Sequence, residues 1–400
     1  MKKRKLRVGV VSATRGAVFA GIFKCFPDVE VVAMCEINEE RLRAAADRLD
    51  IPKRFTDYDK FLEEDLDIVV IGTPMHIHAP QAVKALKAGC HVLSEVPAAV
   101  TLQQCVELVK AARESEGRYM MAENYCYMRH TVLVREMARR GVFGETYFAE
   151  GEYIHELKNL HHGPTPPGTH DPTLPPTWRY IWQVGRNGCT YPTHSLGPAL
   201  EFLGADERVE TVVCLGSGRW TDPEHVMEDT VLMLCKTSSG KLIKVRLDML
   251  SDRPHNMAFY SLQGTNGCYE APRGFGDDHK VWIKGRHRRN EWHSLWEFEE
   301  EFMPEPWKNP PEEAMRAGHG GGDFWVAWDF LRAIREDSPP PIDVYRALDY
   351  TVPGLISEES IERGGVPLPV PDFRQMPDED PYGWLKQVTP ASVQRRPTLS

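Results

Sequence analysis
The sequence has no Cys-x-x-Cys pair, no apolar run long enough to cross a bilayer, no excess of positive charge and no internal repeat. Each absence excludes something. The nine cysteines are scattered and odd in number. That argues against a disulfide framework and for reduced thiols in a cytoplasm. Lysine and arginine total 48 against 58 acidic residues, for a net charge of −10. Nucleic acid and anionic membrane surfaces are therefore poor partners. The lysine-rich start is followed only by the apolar stretch Val8–Val11, which reads as a first strand and not as a leader. What remains is an ordinary globular composition, 42% hydrophobic and 26% charged over 400 residues. That length exceeds one simple core, so two domains are expected. The 15 histidines and 10 tryptophans supply polar-aromatic groups of the kind that sugar and cofactor sites use.

The chain is organised around Val69–Pro97. Ile68–Ile71 is a β-branched run that predicts a buried parallel strand. Gly72-Thr73-Pro74 stops it. His78–Ala88 has helical apolar spacing and ends at Gly89, a C-cap residue. A second apolar strand, His91–Leu93, runs into Glu95-Val96-Pro97. Open α/β sheets bind ligands at the carboxyl ends of such strands, so Thr73, Pro74, His76, His78 and Glu95 are expected to line one crevice.

Upstream, the strand Arg7–Val11 leads through Ser12, Thr14, Arg15 and Gly16 into a helix. A dinucleotide-binding chain places its phosphate turn there, with backbone N–H groups at a helix N-terminus. Ser12 and Thr14 stand where glycine is expected. The next strand ends at Glu36, about twenty residues on, where an acid accepts from both ribose hydroxyls and repels a 2′-phosphate. NAD is thus favoured over NADP. Further β-α-β rhythm up to Tyr125 completes an expected Rossmann domain over 1–125.

The texture then changes. A helix over Thr131–Arg140 and a strand over Tyr147–His155 precede an irregular stretch, Lys158–Pro176, of the length used by binding loops. His161, His162, His170 and Asp171 offer metal-ligand chemistry without a spacing that fixes a geometry, so a solvated loop is the reading taken. Consecutive strands from Val209 to Gly264 predict an open, mainly antiparallel sheet. The expected second domain is α+β over 126–363, with late helices free to pack on the first domain and a proline-rich tail over 364–400. Its chemistry rests on Tyr191, His194, Tyr260 and His319, because imidazole and phenol suit proton transfer to sugar hydroxyls. Taken alone, His194 reads first as a helix-capping histidine and second as a pocket base. His319 is set among glycines, which implies close approach by a ligand or a flexible loop.

The segments Gly72-Thr-Pro-x-x-x-His78, Ala88-Gly-x-His-Val-Leu-Ser-Glu95-x-Pro97, Trp178-Arg179 and the run from Gly188 to His194 resemble the Gfo/Idh/MocA family of NAD(P)-dependent sugar oxidoreductases. The resemblance covers about Leu6 to Pro371. It implies a Rossmann domain followed by an α/β domain whose open sheet mediates dimer or tetramer contacts. Two departures matter. The dehydrogenases of that family carry lysine where Val96 stands and aspartate where Thr190 stands. The segments around Met121–Tyr127, Val142–Glu145, Tyr191–Pro198 and Gly318–Gly321 are similar to a narrower branch, the NAD-dependent glycosidases of family 109. That resemblance implies a retained NAD, transient oxidation of a sugar at C3, deprotonation at C2, elimination at C1, addition of water and re-reduction. It places Tyr191 and His194 at the reacting carbons, Tyr125, Tyr260 and His319 around the sugar, and Glu95 near the nicotinamide ribose. Asn124, Trp178 and Arg179 go with the cofactor. The expected partner is a small glycoside or sugar. A sugar or polyol dehydrogenase with net NADH formation is the alternative, and a non-catalytic NAD-bound sugar sensor is a third reading.

Overall fold
The computed structural model describes residues 4–163, 165–166, 169–223 and 225–375. They form two compact units. The first comprises residues up to Tyr127, Pro311–Leu348 and the segment from Phe373. The second comprises Met128–Pro310 and Asp349–Asp372. The late segment Pro311–Leu348, which the sequence placed within 126–363, thus clusters with the first unit. Most of the proline-rich tail lies outside the described residues.

In the first unit, strands β1 (Leu6–Val11), β2 (Val29–Cys35), β3 (Lys53–Phe55), β4 (Ile68–Ile71), β5 (His91–Ser94) and β6 (Tyr119–Met121) form one sheet. Their order is β3-β2-β1-β4-β5-β6. Every neighbouring pair is parallel, as in a doubly wound nucleotide-binding sheet. β4 is buried at all four residues, because helices cover both faces of such a sheet. These helices include α1 (Arg15–Phe23), α2 (Glu39–Arg48), α3 (Tyr58–Leu62), α4 (His78–Lys87) and α5 (Leu102–Glu114). Local chemistry starts several of them. Asn38 Oδ1 accepts from Arg41 N–H at 2.9 Å to cap α2, and Thr101 Oγ1 caps α5 through Gln104 N–H at 3.1 Å. The chain order reverses between β1 and β4. The turns after those two strands therefore share the sheet edge where ligands bind in this architecture.

The second unit is built on a sheet with the order β14-β13-β12-β11-β7-β10-β9-β8-β15. Its strands are β7 (Thr146–Ile154), β8 (Val209–Gly216), β9 (Val231–Thr237), β10 (Leu242–Asp248), β11 (Asn256–Gly264), β12 (Gly267–Glu270), β13 (Lys280–Ile283), β14 (His293–Ser294) and β15 (Leu368–Pro369). β7 pairs with β10 in parallel and the other pairs are antiparallel. β9 alternates buried and exposed residues along its length, the signature of a sheet covered on one face. Two helices of this unit, α6 (Arg129–Arg139) and α7 (Thr193–Leu203), pack together. α7 lies against β7 and β11. Gly151 makes that approach possible, since a Cβ there would stand 2.6 Å from the carbonyl oxygen of Ser195. No helix among the described residues is long and apolar enough to cross a membrane.

Candidate functional site
The first unit gathers its polar groups at the ends of β1, β4 and β5. Ser12 takes a left-handed backbone with φ of 89°, so it holds the conformation that glycine was expected to supply. Its Oγ accepts from Thr14 N–H at 3.1 Å and shares a hydrogen bond with Thr14 Oγ1 at 2.8 Å. Gly16 must be glycine, because a Cβ there would meet the Val11 carbonyl oxygen at 2.3 Å. Helix α1 begins at Arg15 with no capping bond from the Thr14 side chain and no acid in its first turn. A helix end of that kind suits a pyrophosphate. At the end of β2, Glu36 accepts from Ala13 N–H at 3.0 Å and Asn38 N–H at 3.1 Å, which fixes its carboxylate beside the turn. These features fit a bound dinucleotide.

Arg15 has a further task that the sequence did not reveal. Its guanidinium donates through Nη1 and Nη2 to Asp323 at 3.0 and 2.9 Å, and through Nε to Glu95 at 2.7 Å. Asp323 also accepts from Asn124 Nδ2 at 2.8 Å and faces His319 Nδ1 at 3.1 Å. The His319 ring lies 6.0 Å from that of Tyr125. Burial pushes the Asp323 carboxyl up. Hydrogen bonds from His319 and Arg15 and the guanidinium charge overcome this and hold it well below the usual carboxylate range. The glycines around His319 have a structural cause. His319, Gly320 and Gly321 all have positive φ, and a Cβ on Gly322 would stand 2.4 Å from the Asn124 carbonyl oxygen. Asn124 Oδ1 is buried without a hydrogen-bond partner, an acceptor left over where a cofactor or substrate donor could satisfy it.

The other predicted residues of this unit divide into two kinds. His78 is buried, with its ring nitrogens 2.7 Å from the Thr73 carbonyl and 3.0 Å from the Pro97 carbonyl. It ties the turns after β4 and β5 together instead of facing a ligand. Burial lowers its pKa against the pull of those carbonyls. Thr73 donates to Gln81 Oε1 at 2.7 Å. Pro74 and His76 are partly exposed on the same turn, and burial together with nearby His78 pushes His76 down to about 4.

The second unit gathers Tyr191 and His194 around a residue that the sequence reading passed over. Tyr153, near the end of β7, has its ring centroid 5.2 Å from His194 and 5.5 Å from Tyr191, and those two rings are 5.2 Å apart. The Tyr153 hydroxyl lies 2.8 Å from His155 Nδ1. Burial first, then the nearby His255, Arg179 and His194, push His155 down to about 3. A ring so lowered stays neutral at ordinary pH and shares a hydrogen bond with the phenol. The His255 ring stands 4.5 Å from that of His155. Tyr260 is fully buried. Its hydroxyl donates to the carbonyl oxygen of His194 at 2.6 Å, so it positions the start of α7 from behind. Arg179 lies over the Trp178 ring at 4.5 Å and donates to Gln183 Oε1 at 2.9 Å. Both belong to a single π-turn and its start, Trp178–Gln183, in the second unit. Thr190, at the position where the dehydrogenases carry aspartate, is buried and donates to the Gln183 carbonyl at 2.7 Å. The alternating pattern of Tyr147–His155 predicts β7 but not which of its polar residues face chemistry.

Two family models match the chain. Residues 6–123 match the oxidoreductase family with an NAD-binding Rossmann fold. Residues 127–377 match the C-terminal domain of glycosyl hydrolase 109. A glycosyl hydrolase family 109 protein of Shewanella sp. strain MR-4 is 30% identical, over 98% of this chain and 88% of its own. One from Saccharopolyspora erythraea is 27% identical over 96% of this chain and 87% of its own. Among solved structures, levoglucosan dehydrogenase in complex with NADH superposes with a TM-score of 0.75 at 19% identity, covering 92% of this chain and all of that one (100%). An NAD-binding oxidoreductase from Klebsiella pneumoniae gives a TM-score of 0.76 at 18% identity, over 92% of this chain and 99% of that one.

Proposed function
The chain belongs to glycosyl hydrolase family 109 and carries an NAD-binding Rossmann domain, and from that premise we propose that it is an NAD-dependent glycosidase acting on small glycosides. When bound, NAD supplies the reversible hydride exchange that makes C3 of the sugar a transient ketone, which acidifies the proton at C2. Such a route replaces the flanking carboxylate pair of ordinary glycosidases with carbanion chemistry. Ser12, Thr14, Arg15, Gly16 and Glu36 are the residues proposed to hold the dinucleotide, with Asn124 and Glu95 beside them.

The observation that carries the reading is the group Tyr153, His155, Tyr191 and His194. Sugar oxidation needs an acceptor for a hydroxyl proton, elimination needs a base for the C2 proton, and water addition needs the reverse of each. Tyr153, whose hydroxyl lies 2.8 Å from His155 Nδ1, is the proposed acceptor of the sugar hydroxyl proton in its ionised form. Tyr191 and His194 are within one ring's reach of it and are the proposed C2 base and leaving-group acid, shared between them. Tyr125 and His319 keep the sugar-contact role that the family resemblance implies, as part of this proposal. Val96 and Thr190 argue against a simple dehydrogenase, since neither side chain can move a proton at neutral pH. All nine cysteines are free thiols, which supports the proposed cytoplasmic location. A homodimer or homotetramer is part of the same proposal. Incubation with nitrophenyl glycosides tests the reading: release of nitrophenol without net NADH is the expected result, and NADH accumulation without nitrophenol contradicts it.

A further inference from the structure
We infer that Asp323 is a positioning residue for the sugar site: it holds His319 as the tautomer with its proton on Nδ1, so that Nε2 accepts a hydrogen bond from a sugar hydroxyl. The identity of the ligand rests on the glycosidase reading, whereas the tautomer does not.

The starting observation is how the Asp323 carboxylate is filled. It has no accessible surface, and an ionised carboxylate only accepts, at about four lone-pair sites. Arg15 Nη2 and Asn124 Nδ2 reach Oδ1 at 2.9 and 2.8 Å, while Arg15 Nη1 and His319 Nδ1 reach Oδ2 at 3.0 and 3.1 Å. The guanidinium and the amide nitrogen can only donate, and the guanidinium charge keeps the carboxyl ionised. His319 Nδ1 must then carry a hydrogen, because otherwise two acceptors would face each other across 3.1 Å. A neutral imidazole has one donor and one acceptor, so Nε2 is the acceptor. A buried carboxylate that fixes an imidazole in one tautomer is a recurring device of catalytic sites.

The other end of the ring is open. The His319 side chain is 36% exposed, and among the described residues Nε2 has no hydrogen-bond partner. The backbone is bent to achieve this. His319 has φ of 55°, a left-handed conformation that residues with a side chain seldom adopt, and residues held in that way collect at ligand sites. Gly318 lets the loop wrap the carboxylate, since a Cβ there would stand 2.6 Å from Asp323 Oδ2.

The same carboxylate settles Asn124. Its amide nitrogen donates to Asp323, and its Oδ1 is buried without a hydrogen-bond partner. Asp323 thus leaves an acceptor on each of two neighbours, His319 and Asn124. An acceptor suits a hydroxyl and repels the oxygens of a carboxylate or phosphate. The ligand group facing His319 is therefore a free hydroxyl of a neutral sugar.

The test has two readouts on the full-length protein. Long-range proton–nitrogen NMR spectra of protein labelled with ¹⁵N-histidine report the tautomer, with the His319 signals assigned by their loss in His319→Gln. Nδ1 is expected to be protonated and Nε2 bare, with a shift toward Nε2–H in Asp323→Asn. A parent His319 protonated on Nε2 overturns the inference, and this result does not depend on the folding of any Asp323 variant. The second readout is kcat/KM, at saturating NAD, for the nitrophenyl glycoside that the parent hydrolyses best and for its monodeoxy analogues at positions other than C3. One analogue is expected to lose about tenfold or more in the parent, the effect of one missing hydroxyl donor. His319→Ala and Asp323→Asn are each expected to level that one discrimination and to leave the others, whereas a purely structural loss would lower all analogues alike. Discrimination at every position that survives both variants overturns the inference. Failure of the glycosidase reading shows differently: no glycoside is hydrolysed while His319 still carries its proton on Nδ1, which keeps the positioning role of Asp323 and removes the sugar.

Discussion
The guanidinium of Arg15 is clamped by the carboxylate of Asp323, a residue 308 positions later, through two hydrogen bonds of 2.9 and 3.0 Å. Asp323 has no accessible surface, so the pair fastens Pro311–Leu348 to the nucleotide turn within one unit. Removing one partner of a buried pair leaves an uncompensated charge and costs about 3–5 kcal/mol. Asp323→Ala is expected near that range. Arg15→Ala falls below it, since the Arg15 side chain is 31% exposed. The double variant is expected to lose less than the sum of the two, read from denaturant midpoints. Additive losses would mean that the pair is not coupled.

Glu36 is held beside the turn by Ala13 and Asn38 N–H groups. Its proposed task is to accept from the adenosine ribose and to repel a 2′-phosphate. Glu36→Ala is expected to weaken NAD binding at least about tenfold and to narrow the preference over NADP, the loss of one charge-assisted hydrogen bond being worth about 1.5–3 kcal/mol. Fluorescence titration with both dinucleotides measures it.

Tyr153 gives a test of the proposed proton acceptor. Tyr153→Phe keeps the ring packing against Tyr191 and His194 and removes only the hydroxyl. It is expected to lower kcat about 10²–10⁴-fold, the range for a positioned acid–base group, with an unchanged thermal midpoint. A loss below tenfold would remove Tyr153 from the chemistry.

Much of this was legible in the residues, and the failures have causes. The order of apolar runs and turns gave the Rossmann sheet, because parallel strands buried on both faces read as continuous apolar stretches. The β7–β10 parallel pair was not legible, since it joins strands separated by α7 and a long loop. Ser12 disguised the phosphate turn because a serine carries the positive φ. Asp323 was invisible because its partner is at the other end of the chain. His78 stood in the expected crevice but its nitrogens face two carbonyls, a detail that spacing does not encode. Tyr153 lay in plain sight on an alternating strand, and only the close approach of α7 at Gly151 singles it out.

Several buried histidines set a pH dependence. Burial pushes His155 to about 3 and His76 and His279 to about 4. The unfolded chain takes up these protons below about pH 6.5, while the folded chain does not until its depressed pKa is reached. Stability is therefore fully present above about pH 6.5 and is lost as pH falls toward 4, at up to about 1.4 kcal/mol per pH unit for each group. His279→Gln is expected to flatten that loss, measured by thermal unfolding at pH 7, 6 and 5. A midpoint independent of pH over that range would contradict the neutral, buried state of these rings.

The most direct measurement is hydrolysis of a nitrophenyl glycoside in deuterium oxide with NAD present, with nitrophenol and NADH absorbance followed together and the sugar product analysed by NMR. Transient oxidation at C3 with proton exchange at C2 predicts nitrophenol release, no net NADH and deuterium at C2 of the product. Nitrophenol release with hydrogen retained at C2, or NADH accumulating with the glycosidic bond intact, would contradict it.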